Sequence, residues 1–226
     1  MKDIKDILFT VHARLNSTRV PQKMIRSFSG KSLIEITIEK LLLIEKIPKE
    51  NILLIFHENE LFEITKKYNL KYFKRSYESA NHEYDIKILC EWYNKVNFKY
   101  FIDICPCSPL LEKNTINKFI NKFLEMDHKG MITVIPKKNY YFNSDGILIT
   151  KCDSVANTKY VKPLLEMNPS IQAGLIKDIG NDIYAGSYKS KNDPVLFEIG
   201  DLEGFDIDYE WQFLMAEKYY DISNFK

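Results

Sequence analysis

The chain has 226 residues, 45% of them apolar and 28% charged, enough for one sizeable hydrophobic core. Its 32 basic and 31 acidic residues leave a formal net charge of +1, which gives no electrostatic case for nucleic acid or an anionic membrane as partner. No apolar run approaches the roughly 18 residues of a membrane span, and Met1-Lys2-Asp3-Ile4-Lys5-Asp6 leads into an apolar run too short for a signal peptide. Cys90, Cys105, Cys107 and Cys152 do not make a disulfide framework, and Cys105-Pro106-Cys107 has one residue between its thiols where a zinc knuckle has two. The four read as structural thiols, and the chain as cytoplasmic.

Strand-like and helix-like stretches alternate from the start. Ile7-Leu8-Phe9-Thr10-Val11 is a short apolar run of strand formers and predicts a buried strand. Residues 33–44 place Leu33, Ile34, Ile38, Leu41 and Leu42 on one side at helical spacing. A second apolar run, 52–56, precedes a helical stretch at 58–68 and a short strand at 71–73. Residues 84–96 predict a helix with Ile88, Leu89, Trp92 and Val96 inward. A strand at 100–105, an amphipathic helix at 114–126 carrying Ile116, Phe119, Ile120 and Phe123, and a strand at 131–135 close the regular part. Strands separated by such helices mean βαβ crossovers, hence an α/β fold with a mostly parallel sheet covered on both faces. Ligands of these sheets bind at the carboxyl ends of strands, so the loops after Val11, Phe73, Cys105 and Ile135 are the ones that matter.

Beyond Pro136 the pattern loosens. Residues 139–195 mix possible strands at 146–150 and 183–188 with turn-rich links, followed by a strand at 195–199. The last helix, 208–220, sets Trp211, Leu214, Met215 and Lys218 at i, i+3, i+4 and i+7. With no linker, repeat or low-complexity segment, residues 1–226 read as one domain with 139–195 as an appended lobe that dimerises or covers an acceptor.

The first strand runs into His12-Ala13-Arg14-Leu15-Asn16-Ser17-Thr18-Arg19-Val20-Pro21-Gln22-Lys23. Arg14, Arg19 and Lys23, with the hydroxyls of Ser17 and Thr18, give this loop the directed donors that a triphosphate requires. A loop of the same composition also serves as a solvated surface turn. Gly30-Lys31-Ser32 is not a P-loop, because the glycine required five residues earlier is Ile25. Near the end, Asp206-Ile207-Asp208 sets two carboxylates about one apolar residue, just before the last helix. Asp208 also suits a helix N-cap, a role that would leave Asp206 unexplained.

The pattern Ala13-Arg14-x-x-Ser17-Thr18-Arg19-x-Pro21-x-Lys23, followed by Gly30-Lys31-Ser32-Leu33-Ile34, resembles the signature of the cytidylyltransferases that make CMP-Kdo and CMP-sialic acid, including the SpsF-like polysaccharide-biosynthesis branch. Cys105-Pro106-Cys107-Ser108-Pro109-Leu110 is similar to their Q-P-T-S-P-L segment. The Kdo enzymes instead have Q-G-D-E-P-L there, with a metal-binding aspartate where this chain has Cys107. Asp206-Ile207-Asp208 resembles their D-I-D-T-x-x-D, with Gln212 in place of the third acid. Arg75-Ser76 through Asp85-Ile86 is similar to the stretch that helps form the base pocket, although Asp85 better suits the N-cap of the helix that follows.

The resemblance implies a Rossmann-like nucleotidyltransferase fold in three layers. It also implies a reaction in which an acceptor oxygen attacks the α-phosphorus of CTP and pyrophosphate leaves. Ala13, Arg14, Ser17, Arg19, Lys23 and Asp85 would bind the nucleotide, Arg14 and Lys23 would act catalytically on the phosphates, and Asp206 and Asp208 would hold Mg²⁺. The acceptor is either a nonulosonic or Kdo-like sugar acid or a sugar or polyol phosphate, with Lys137, Lys138, Tyr140 and Asn143 where it would bind. Asp103 lies on the strand face shared with Phe101 and Cys105. A homodimer assembling surface glycan or capsule precursors follows from the same resemblance. A glycosyltransferase using Asp206 and Asp208, or a non-catalytic nucleotide-binding relative, is the rival reading.

Overall fold

The computed structural model describes residues 1–82, 84–152 and 157–224. Seven strands form a single sheet: β1 (Ile7–His12), β2 (Ile52–Phe56), β3 (Lys71–Lys74), β4 (Tyr100–Ile104), β5 (Met131–Lys137), β6 (Leu164–Leu175) and β7 (Val195–Glu198). Their spatial order is β3-β2-β1-β4-β6-β5-β7, with β6 antiparallel to both neighbours and every other pairing parallel. Helices α1 (Leu33–Leu42), α2 (Glu60–Tyr68), α3 (Tyr77–Asn81), α4 (Ile86–Leu89), α5 (Lys113–Glu125) and α6 (Glu210–Asn224) complete it. Among the described residues no helix is long and apolar enough to cross a membrane.

The central strands are buried on both faces, which is why they read as continuous apolar runs. On one face Phe9, Val11, Leu54, Ile102 and Ile104 pack beneath α1 and α5, whose Ile34, Ile38, Ile116, Phe119 and Phe123 are buried as their spacing predicts. On the other face Leu8, Ile55 and Phe101 meet Trp92, Ile176 and Ile179. Helix α1 begins with a full capping box. Ser32 Oγ accepts from the Glu35 N–H, and the Glu35 carboxylate accepts from the Ser32 N–H at 2.9 Å. The Gly30-Lys31-Ser32 segment is therefore a helix start. It follows a tight turn in which Ser29 and Gly30 both take positive φ, cheaply only for the glycine.

Three expectations need correction. Residues 84–96 are not one helix: α4 stops at Leu89, Cys90 leaves helical geometry, and residues 91–94 form a 3₁₀ turn. The break swings Trp92 fully inside, where its Nε1–H donates to His12 Nε2 at 3.0 Å. Residues 146–150 and 183–188 are not strands. The former lie beside an isolated Phe142–Leu148 bridge. The lobe's strand is β6, which inserts between β4 and β5. It evades strand signals because it contains Asn168-Pro169 and its outer half is exposed. The register slips there, from Ile132 opposite Gln172 to Thr133 opposite Asn168, so Pro169 donates to no ladder. Within the lobe, residues 153–156 lie outside the described residues. Finally, α6 buries Phe213 and Ala216 against Phe28, Leu33 and Ile36, and leaves Trp211, Leu214 and Met215 exposed. A two-bond fork from Arg26 to Glu210, at 2.7 and 2.8 Å, sets that rotation.

One half-buried cation braces the loop after β4. Lys40 Nζ, on α1, donates to the Pro109 carbonyl. Burial pushes its pKa from the ordinary 10.5 down to about 8, against the pull of Glu203 and Glu112. Between those two values the unfolded chain holds the proton and the folded chain does not, so stability rises with pH across that window. The unfolding free energy of wild type minus that of Lys40→Met is therefore expected to climb over this range in paired urea titrations; a flat difference would contradict the burial.

Candidate active site

The strand order reverses about β1 and β4, the place where open α/β sheets bind ligands. The loop after β1 is pinned to the end of β2: Ala13 N–H donates to Ile55 O at 2.9 Å, and Leu15 N–H to Glu58 Oε1 at 2.7 Å. Val20 and Met24 are buried and tie down its far half. Between these anchors Arg14 and Arg19 are exposed, with Ser17 half-buried. Among the described residues no hydrogen bond or ion pair engages the Arg14 guanidinium.

The second loop is Cys105-Pro106-Cys107-Ser108, after β4. Cys105 N–H donates to Ser170 O at 3.0 Å, and Ser108 Oγ accepts from Ser170 Oγ–H at 2.8 Å. The third follows β7. Gly204 starts it, with its carbonyl held by Asn168 Nδ2 at 2.8 Å and so close to Ile135 that a Cβ would sit 2.5 Å from Cδ1. Ile207 then stitches the loops together. Its side chain is buried with Val20, Phe28 and Leu33, its N–H donates to Cys107 O at 3.0 Å, and its carbonyl accepts from Lys23 Nζ at 2.6 Å. With Ile207 held inward, Asp206 and Asp208 both line the cleft.

This cleft, about 630 Å³, gathers Ala13, Arg14, Ser17, Arg19, Lys23, Asp206 and Asp208. Asp85 is not brought to it: its carboxylate accepts from Lys87 N–H at 2.8 Å and caps α4. The stretch contributes Arg75 instead, buried at 6% exposure, with Nη2 donating to Ala13 O at 3.2 Å and Nε without a partner. Burial lowers its pKa while Glu58 acts the other way, and a guanidinium keeps its charge regardless. A buried cation short of partners beside a cleft is a ready anion site. The sequence signal for it was its place just after β3, one of the loops that the parallel-sheet rule selects.

Asp208 pairs with Arg19 at 2.6 Å and does not cap α6. Capping falls to Gln212, whose Oε1 accepts from both Asp208 N–H and Tyr209 N–H at 2.7 Å. The departure at 212 thus has a structural role. Asp206 is pushed above the ordinary carboxylate range, first by burial and then by Asp208, with Lys23 opposing. Its Oδ1 is buried without a hydrogen-bond partner. A cation is the natural partner for that oxygen, so the pair fits a hard divalent ion on its donor chemistry.

Asp103 does not line the cleft. It accepts from Thr10 Oγ1 at 2.7 Å and from His12 Nδ1 at 2.9 Å. Because the Trp92 indole can only donate, His12 carries its proton on Nδ1. His12, Arg75 and Leu89 are shared with an adjoining cavity of about 700 Å³, whose walls include Gln172, Tyr184 and Lys189. Lys137, Lys138, Tyr140 and Asn143 line neither space; Lys137 pairs with Asp201 and Glu166.

Fold and cleft together define a nucleotidyltransferase. A family model described as cytidylyltransferase matches residues 8–176, three quarters of the chain, and the protein belongs to that family. Solved structures share the fold. CMP:2-keto-3-deoxy-manno-octonic acid synthetase in complex with CTP is 12% identical, covers 96% of this chain and 99% of its own, and superposes with a TM-score of 0.68. The 4-diphosphocytidyl-2C-methyl-D-erythritol synthase of Anaerococcus prevotii is 16% identical over 96% and 98%, with a TM-score of 0.63. A cytidylyltransferase from Leptospira borgpetersenii is 14% identical over 96% and 87%, with a TM-score of 0.61. No curated protein matches the chain by sequence.

The assignment of Gln212 is testable. Gln212→Ala removes the acceptor of two N–H groups and is expected to cost about 1–2 kcal/mol in chemical denaturation. Gln212→Glu keeps an acceptor at the same reach and should restore most of it. Equal stability of all three proteins would refute the capping role.

Proposed function

We propose that this cytidylyltransferase moves CMP from CTP onto a sugar-derived acid, releasing pyrophosphate, for surface glycan or capsule assembly. The carrying observation is the single cleft in which unengaged Arg14, buried Arg75 and Lys23 face the carboxylates of Asp206 and Asp208. In this reading the triphosphate lies along the β1 loop. Arg14 supplies a planar fork to the phosphates, and Lys23 a point charge where negative charge builds on the departing pyrophosphate. Ser17 and Arg19 complete the loop's donors. Such a transfer is mostly positioning and charge neutralisation, and no side chain is nominated as general base. Asp206 and Asp208 would hold Mg²⁺, which when bound neutralises phosphate charge and acidifies an attacking hydroxyl.

The adjoining cavity is the acceptor's place in this reading, since it meets the nucleotide cleft at His12 and Arg75. Arg75 and Lys189 on its wall suit an acceptor with one anionic group. A nonulosonic or Kdo-like acid, attacking through its anomeric hydroxyl, meets that description. A sugar or polyol phosphate, attacking through phosphate, is the second reading and brings a larger negative charge of about −1.5 to −2 at pH 7. The lobe supports a homodimer. Phe142, Ile147 and Ile149 are more than half exposed, and Leu165 and Met167 of β6 are also open. A second copy covers this apolar surface.

Thermal-shift titration with the four nucleoside triphosphates in Mg²⁺ is expected to show the largest stabilisation with CTP; an equal or larger shift with another base would remove the cytidine assignment. Arg14→Ala and Lys23→Ala should each lower turnover by roughly 10²-fold or more while the chain stays folded. Near-normal turnover at saturating CTP would strike that residue from the triphosphate site. Light scattering at micromolar concentration should return twice the mass of one chain, and a monomer there would exclude the dimer.

A further inference from the structure

The cleft wall carries two thiols that the proposed transfer does not use. Cys90 shows what a structural thiol looks like in this fold: it is 4% exposed and packed with Leu8, Trp92 and Phe101. Cys105 and Cys107 differ, since both line the cleft beside Lys23 and Asp206. Their loop is fixed at both ends, by Cys105 N–H to Ser170 O and by Ile207 N–H to Cys107 O, each at 3.0 Å.

The Asp206 carboxylate approaches the same point from the loop after β7. The two Sγ atoms and one Asp206 oxygen all lie within 4.8 Å of one another. Ligand atoms around one tetrahedral ion sit about 3.3–3.8 Å apart for bonds of about 2.0–2.3 Å, so a small contraction would close the set. Asp206 also has a buried oxygen, Oδ1, without a hydrogen-bond partner among the described residues, and a cation held by this carboxylate would supply one. Hard Mg²⁺ takes oxygen alone, whereas two sulfurs with one carboxylate oxygen suit a softer ion. Three protein ligands facing a cleft leave a fourth position open to water or a phosphate oxygen.

We propose that Cys105, Cys107 and Asp206 form a binding site for a thiophilic divalent cation, Zn²⁺ being the representative, with its open position in the nucleotide cleft. On binding, the thiols give up their protons to solvent and ligate as thiolates. The site rests on the three side chains alone. If the magnesium reading above also holds, Zn²⁺ competes for Asp206 and inhibits Mg²⁺-supported transfer.

The test uses the reduced, chelator-stripped full chain. Zn²⁺ is titrated against a chromophoric chelator, and Cd²⁺ is titrated separately while the ultraviolet sulfur-to-metal charge-transfer absorbance is recorded. One equivalent of each ion should bind, with a Cd²⁺ band that halves in Cys105→Ser and in Cys107→Ser. Each serine variant, and Asp206→Asn, should weaken Zn²⁺ by at least the roughly 10–100-fold that loss of a supporting outer-shell partner costs. Cys90→Ser should change neither readout. Circular dichroism of the metal-free variants checks folding. Should a serine variant not fold, Zn²⁺ protection of Cys105 and Cys107 from alkylation in the wild type, mapped by peptide mass spectrometry, replaces it. No charge-transfer band, unprotected thiols, or Zn²⁺ affinity unchanged in folded serine variants would overturn the site. These readouts need no turnover, so failure of the CTP assay and failure of this site are distinguishable.

Discussion

Ile207 is held from three directions, and the geometry of the cleft depends on it. Its buried side chain belongs to the small core under α1 and α6, its N–H holds the loop after β4, and its carbonyl holds Lys23 of the loop after β1. Full burial of an isoleucine is worth about 1.5–3 kcal/mol, enough to keep an otherwise exposed loop in one conformation. That anchoring decides where the two flanking carboxylates go. Asp206 ends up half-buried beside the Cys105–Cys107 loop, and Asp208 meets Arg19. Three loops from distant parts of the chain become one wall through a single residue with no chemistry of its own.

The same wall concentrates groups whose needs the protein leaves unmet. Among the described residues Arg75 keeps Nε and Asp206 keeps Oδ1 without a hydrogen-bond partner, and the exposed Arg14 guanidinium has neither a hydrogen bond nor an ion pair. Each buried polar atom left without a partner costs of order 1–3 kcal/mol. In the function proposed above, phosphate and cation would offset that cost on binding together, which would place the binding energy where charge changes during transfer. Two points of backbone irregularity are by contrast fully closed: α1 has its full capping box, and the break in β6 is bridged by Thr133 Oγ1, which accepts from Ile171 N–H and donates to Asn168 O.

That break also transmits order to the site. Asn168 stands at the register slip, and its side-chain amide holds the Gly204 carbonyl where the third loop begins. Ser170, two residues on, holds both Cys105 N–H and the Ser108 hydroxyl. An irregular strand from the lobe thus sets the heights of two active-site loops. Asn168-Pro169-Ser170 reads as a turn in isolation, because proline and asparagine are turn residues and only the flanking β4 and β5 ladders make it a strand.

Much of the chemistry was legible in order along the chain. The β1 strand, the cationic loop behind it and the alternation of Asp206 and Asp208 about an apolar residue are local patterns, and local pattern suffices where a short segment both forms an element and carries its own donors. The buried strands were legible for a similar reason, since burial on both faces demands an apolar run whatever the neighbours are. Tertiary structure alone decided the rest. It put Arg75 under the cleft. It rotated α6 so that Phe213 faces inward and Trp211 outward, and it brought two cysteine sulfurs within 4.8 Å of a carboxylate a hundred residues away. Those outcomes depend on which surfaces remain to be covered once the sheet has assembled, and no window of sequence contains that information.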